Sequence, residues 1–137
     1  MDTKPNEQQA LILFAHGARA ASWAAPFERL RDLTQARLPE TDVHLAFLEL
    51  MTPRLPELVQ SLLAALPGEA TLDVTVVPVF LGQGGHVLRD LPLLAEQLRH
   101  DHPRLRLKVV EAVGENAQVL AAIADYCVAA PATIGDA

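Results

Sequence analysis

The chain holds a single cysteine, Cys127, and few basic side chains: 11 lysines and arginines against 17 acidic residues, for a formal charge of −6 over 137 residues. One cysteine excludes an internal disulfide framework. The acidic balance argues against nucleic acid as the main partner, because neutralising phosphates needs a basic surface. No apolar run approaches the roughly 20 residues of a membrane span. The start, Met1 to Gln9, is polar and lacks the basic-then-apolar order of a signal peptide, so a soluble cytoplasmic protein is expected. No internal repeat or low-complexity segment is visible.

What is present is an alternation of two apolar periods. Ala10–Ala15 is a short continuous apolar run, as a strand buried on both faces requires. Trp23, Phe27, Leu30, Thr34 and Leu38 recur at helical spacing, with Ser22 as N-cap. Val43–Leu50 reads as a second strand. Leu55, Leu58, Val59, Leu62 and Leu66 mark a second helix, with Thr52 as N-cap and Pro53 at its first position. Leu72–Leu81 is the third strand, and Val87, Leu91, Leu94 and Leu98 stripe the third helix. Leu105–Val113 is the fourth strand. Asn116 is the expected cap of a last helix carrying Val119, Leu120, Ile123 and Cys127, with Pro131 just beyond it. Helical spacing from Leu120 and Ile123 makes Cys127 a small core residue.

The order is β-α-β-α-β-α-β-α with short connections. It implies one α/β domain, a three-layer sandwich with a four-stranded parallel sheet flanked by helices, because right-handed crossovers place helices on both faces. Residues 10–130 form this domain, 1–9 a disordered lead-in and 131–137 a tail.

Open parallel sheets bind ligands at the carboxyl ends of their strands. His16 follows strand one, Glu49 lies at the end of strand two, and His86 follows strand three, so all three are expected at that edge. Two imidazoles and a carboxylate suit a divalent first-row metal, and imidazoles also move protons near neutrality. Gly82, Gly84 and Gly85 make a turn that lets a large ligand approach the backbone. A dinucleotide fingerprint does not fit, because Gly82-Gln83-Gly84-Gly85-His86-Val87 lacks the last glycine and follows the third strand. Arg19, Arg54 and Arg89 fall just after the strands, where helix N-termini also favour anions. His44 alternates on strand two, and His100 and His102 lie at a helix end. A phosphohistidine reaction would need an arginine directly before His16, where Ala15 stands.

Taken together, His16-Gly17-Ala18-Arg19, Phe47-Leu48-Glu49 with Pro53, and Val77-Pro78-Val79-Phe80-Leu81 leading to Gly84-Gly85-His86-Val87, Asp90 and Pro92 resemble the small, single-domain CbiX-type chelatases. These are class II sirohydrochlorin cobaltochelatases and ferrochelatases, and the resemblance runs from Leu11 to Ala129. It implies a chelatase-like, flavodoxin-like half-unit that inserts a divalent metal into a polycarboxylate tetrapyrrole without ATP. Cobalt is the expected metal, as in cobalamin biosynthesis, with iron for sirohaem or nickel as the alternatives. A non-catalytic metal- or tetrapyrrole-binding protein is the reading from another class.

By position, His16 and His86 would bind metal and accept protons, with Glu49 in support. Arg19, Arg54, Arg89, Gly84 and Gly85 would meet the substrate. No cofactor beyond the metal substrate, no nucleic acid and no membrane are implied. Relatives usually carry serine where this chain has Ala18. Long family forms fuse two copies of the unit, so a homodimer is implied here.

Overall fold

In β1 (Glu7–Ala15) the side chains of Ala10, Ile12 and Phe14 face one way and Leu13 the other, and all four are buried. A strand apolar on both sides belongs in the interior of a parallel sheet. β1 is central: it pairs in parallel with β2 (Asp42–Phe47) and β3 (Thr71–Pro78), and β3 pairs with β4 (Leu105–Val109), in the order β2-β1-β3-β4. The helices are α1 (Ala25–Arg37), α2 (Leu55–Ala64), α3 (Gly85–Asp101) and α4 (Ala117–Ala129). The computed structural model describes residues 7–82 and 84–133, excluding the side chains of His86 and Thr133. The expected α/β class and parallel sheet are present.

The main core lies between one sheet face and α2 and α3. Leu55, Leu58, Val59 and Leu63 of α2 and Val87, Leu91, Ala95 and Leu98 of α3 pack on Ile12, Phe14, Val74, Val76 and Leu107. Each such side chain contributes about 1.5–3 kcal/mol by leaving water. On the opposite face α1 covers β2 and part of β1, and the Arg31 guanidinium donates to the Val43 carbonyl at 2.8 Å. Beside α1 this face carries an open groove of about 540 Å³, lined by Leu11, Leu38, Thr75 and Lys108 among others.

Several boundaries differ from the sequence expectation. β1 begins at Glu7, so part of the expected lead-in pairs with β3, Glu7 opposite Thr71; residues 1–6 and 134–137 lie outside the described residues. Ser22 caps nothing: it sits inside a 3-10 turn, Ala21–Ala24, and α1 starts after Ala24. Thr52 is not the cap of α2 and Pro53 is not its first residue. Arg54 is the N-cap, its backbone N–H held by the Glu57 carboxylate at 3.0 Å. β2 stops at Phe47, β3 at Pro78 and β4 at Val109, each short of the apolar run that suggested it. Pro78 has no N–H to extend a ladder, and the apolar residues beyond it serve the turn.

Asn116 does cap α4, accepting from the N–H groups of Gln118 and Val119 at 3.0 and 3.1 Å. Cys127, however, is exposed and not a core residue, because α4 buries none of its side chains.

At the end of the sheet where the strands begin, one guanidinium joins two segments. Arg104 donates to the carbonyls of Pro67 at 2.8 Å, Ala70 at 3.2 Å and Leu63 at 3.3 Å. Among the described residues no helix is long and apolar enough to cross a membrane.

Candidate functional site at the carboxyl edge of the sheet

β1 and β2 run parallel with Ala15 opposite Phe47, so the residues that follow each strand leave the same edge side by side. The Leu48 N–H donates to the Ala15 carbonyl at 2.8 Å and extends this pairing by one step. Immediately beyond, the Glu49 carboxylate meets the other loop twice. Its Oε1 lies 3.2 Å from His16 Nδ1, and its Oε2 accepts the Gly17 N–H at 3.1 Å.

Close approach of the two backbones makes this possible. A Cβ on Gly17 would overlap the Glu49 carbonyl oxygen, so position 17 admits only glycine without a shift of the chain. Leu50 then turns the chain with φ of 68°, and the Met51 N–H closes the turn on the Glu49 carbonyl at 2.8 Å.

Two aromatic residues fix His16 from other sides. The Trp23 indole N–H donates to the His16 carbonyl at 2.8 Å. The imidazole rests on the Phe80 ring, centroids 4.6 Å apart, and Phe80 is itself buried against Phe14 at 6.0 Å. The remaining imidazole surface is open, with the His16 and Glu49 side chains 40% and 42% exposed.

For Glu49, partial desolvation acts to raise the carboxyl pKa, but the Gly17 N–H and the His16 ring together outweigh it, and the net shift is downward. Glu49 is therefore an anion at neutral pH. A carboxylate can only accept, so the hydrogen bond requires the His16 proton on Nδ1 and leaves the Nε2 lone pair free when the ring is neutral.

The third expected residue, His86, is the second residue of α3, not part of the preceding turn; Gly84 is the N-cap. Parallel pairing of β1 with β3 brings the start of α3 to the same edge as His16, and the Val79 N–H donates to the Phe14 carbonyl at 2.7 Å. The His86 side chain lies outside the described residues. Among the described residues no group of three or more His, Cys, Asp or Glu side chains converges.

Gly82, Gly84 and Gly85 have ordinary backbone angles, and a Cβ at any of them would meet open space. They are not forced by the turn. The glycine that is forced nearby is Gly114, which the sequence reading missed. Its N–H donates to the Phe80 carbonyl at 2.9 Å, and a Cβ there would overlap the Leu81 carbonyl. The supports Gly17, Trp23 and Phe80 were likewise not singled out for these roles.

Arg19, Arg54 and Arg89 are all exposed: in the loop after β1, at the N-cap of α2, and as the fifth residue of α3. His44 is half-buried on β2 with its Nε2 buried and unpartnered, while His100 and His102 end α3 far along the chain from its N-terminus.

A parallel sheet whose carboxyl edge presents a histidine–carboxylate pair beside a helix N-terminus defines an α/β protein with an open, edge-mounted site. The chain belongs to the CbiX family, whose model matches residues 10–129. It is 28% identical over 94 residues to a sirohydrochlorin cobaltochelatase of Methanocaldococcus jannaschii, spanning 69% of this chain and 63% of that protein. The crystal structure of a CbiX protein from Marinobacter aquaeolei VT8 superposes with a TM-score of 0.73 at 30% identity, over 87% of this chain and 93% of that one. The sirohydrochlorin chelatase SirB of Bacillus subtilis subspecies spizizenii, in complex with cobalt, shares the fold at TM-score 0.65 and 19% identity. That match takes in 80% of this chain and 45% of SirB.

Proposed function

We propose that this protein inserts a divalent metal into sirohydrochlorin, with cobalt as the metal. The observation that carries the reading is the His16–Glu49 pair, 3.2 Å apart at the carboxyl edge of the sheet in a chain of the CbiX family. The cobaltochelatase from Methanocaldococcus jannaschii supports the substrate and the metal. Iron is the alternative metal, since a SirB structure has been determined with Fe3+ as well as with cobalt.

Insertion exchanges one divalent ion for the two protons on the macrocycle's pyrrole nitrogens. The ion must shed water and the protons need an acceptor. His16 suits both tasks: with Nδ1 engaged by Glu49 its Nε2 lone pair is uncommitted, and the Glu49 carboxylate balances the charge once the imidazole takes a proton. His86, in the first turn of α3, is the proposed second imidazole. The macrocycle carries many carboxylates. Arg19, Arg54 and Arg89 are the proposed cations for them, together with the N–H groups that open α3 at Gly84 and Gly85. The open edge suits a broad, flat substrate better than an enclosed pocket would. No nucleotide takes part in this scheme, and a cytoplasmic site of action goes with it. Two copies of the chain are proposed to act as a homodimer.

The test is the loss of free sirohydrochlorin absorbance on adding protein with Co2+, Fe2+ or Ni2+, measured above the uncatalysed rate. The proposal expects catalysis, fastest with Co2+, and its loss by at least a hundredfold in His16→Ala and His86→Ala. Binding of metal and sirohydrochlorin without acceleration by any of the three ions would establish a carrier instead.

A further inference from the structure

Leu50 is held in a backbone conformation that suits glycine. Among the described residues it alone has a positive φ, 68°, while none of the described glycines does. The Met51 N–H donates back to the Glu49 carbonyl across it at 2.8 Å, so Glu49-Leu50-Met51 is a γ-turn of the rare, strained kind. Glycine enters this region without steric cost, whereas a bulky side chain is an outlier there. Packing does not account for the leucine, because its side chain is 60% exposed and outside the core. A strained and unburied leucine does little for the fold, and such outliers cluster where ligands are met.

Its place supplies a use. Leu50 directly follows Glu49, whose carboxylate lies 3.2 Å from the His16 ring. Two other exposed apolar side chains border the same residue. Leu81, 66% exposed, directly follows Phe80, on whose ring His16 rests. Trp23, 43% exposed, donates its indole N–H to the His16 carbonyl. The loops after β1, β2 and β3 thus each bring one apolar group to the surroundings of His16. Single apolar residues on a surface are ordinary, but three gathered about one half-exposed imidazole mark a contact surface.

The chemistry of the proposed substrate, on which this inference rests, says what would cover them. A tetrapyrrole holds its four nitrogens in the plane of the ring, so an ion reaches them from the flat face. An imidazole that delivers the ion must therefore stand over that face. Groups around the imidazole then meet ring carbon and not the peripheral carboxylates, which suits leucine and indole better than arginine. We propose that the γ-turn holds Leu50 out of the fold as a contact for the flat face of the macrocycle, with Leu81 and Trp23 completing an apolar rim around His16.

The test uses the full chain with Leu50→Gly, which relieves the turn and removes the side chain while the Glu49 carboxylate keeps its partners. Its melting temperature should equal that of wild type or exceed it by a few degrees. Two readings should rise about tenfold, the loss of one leucine contact. They are KM for sirohydrochlorin in Co2+ insertion, and Kd for metal-free sirohydrochlorin from quenching of the single tryptophan. The turnover number should change less than about twofold, because a ring-face contact is made equally before and during insertion. Leu50→Met, strained as before but again apolar, should recover most of the affinity. Co2+ affinity without the tetrapyrrole and the mass by light scattering should match wild type in Leu50→Gly. A melting temperature lower by more than about 5 °C would show that the leucine serves the fold. Weaker Co2+ binding would show that it acts through Glu49, and a changed mass that it lies between copies. Each of these overturns the inference, as does sirohydrochlorin binding equal to wild type. Wild-type protein that neither binds nor metallates sirohydrochlorin overturns the proposed function, and this inference with it.

Discussion

Gly17 and Glu49 are in contact through backbone where any side chain at position 17 would collide, and this contact is what presents the carboxylate to His16. Gly17→Ala should therefore act twice. Overlap of its Cβ with the Glu49 carbonyl costs about 1–3 kcal/mol, seen as a melting temperature lower by about 5–10 °C. Separation of the two loops should also reduce metal insertion at least tenfold. A variant with unchanged melting and unchanged rate would contradict the contact.

Glu49→Gln keeps the shape of the side chain and removes its charge. Its amide can still accept the Gly17 N–H, so the variant should fold and lose only the contribution of the charge, while insertion at neutral pH falls about ten- to a hundredfold, as for other residues that orient a ligating histidine. The wild-type carboxyl is held below its ordinary value, so its stabilising contribution is full above about pH 4.5 and is lost as pH falls through the lower folded-state value. Acid melting curves of the two proteins should accordingly converge at the lowest pH and separate above it.

Gly114→Ala tests the loop that leads to His86 without touching either histidine. Its Cβ would overlap the Leu81 carbonyl, so the expected result is a lower melting temperature together with a slower insertion rate. Gly82→Ala is the comparison: its Cβ meets open space, and thermal stability should be unchanged or raised by a few degrees. Equal effects of the two substitutions would remove the case for Gly114 as an anchor.

His44 sets a pH dependence separate from the site. Burial is the largest influence and lowers its pKa; Asp42 opposes this and Arg31 adds to it. The unfolded chain therefore takes up this proton first as pH falls. Stability should decline below about pH 6.5 until the folded-state value is passed, and His44→Gln should flatten that decline in melting temperature measured between pH 7.5 and 5.

The sheet was legible because its strands and helices keep different apolar periods, as Ala10–Ala15 and the Leu55, Leu58, Val59, Leu62 series show. Ends were not. Gln8 and Gln9 are polar and exposed yet belong to β1, because pairing with β3 and not apolarity carries the strand there. Phe80 reads as more strand, but it lies past Pro78 and supports His16. Ser22 and Thr52 are good cap residues by type, while the chain uses Glu57 to cap α2 from inside. The edge that gathers His16 and Glu49 followed from strand order alone. The glycine that lets them touch could not be read, because the atom it avoids is 32 residues away along the chain. For Cys127 the helical period was right, but periodicity says which side chains share a face and not what covers them.

The three carbonyls gathered by Arg104 give the fold two ends of unlike mechanical character. Where the strands begin, the end of α2, the approach to β3 and the approach to β4 are stitched by one guanidinium, so strain there is shared among distant segments. Where the strands finish, the loops after β1 and β2 meet at a glycine and through the two hydrogen bonds of the Glu49 carboxylate. The broad, flat substrate proposed above would therefore meet the margin opposite this seam, with the length of the strands between them.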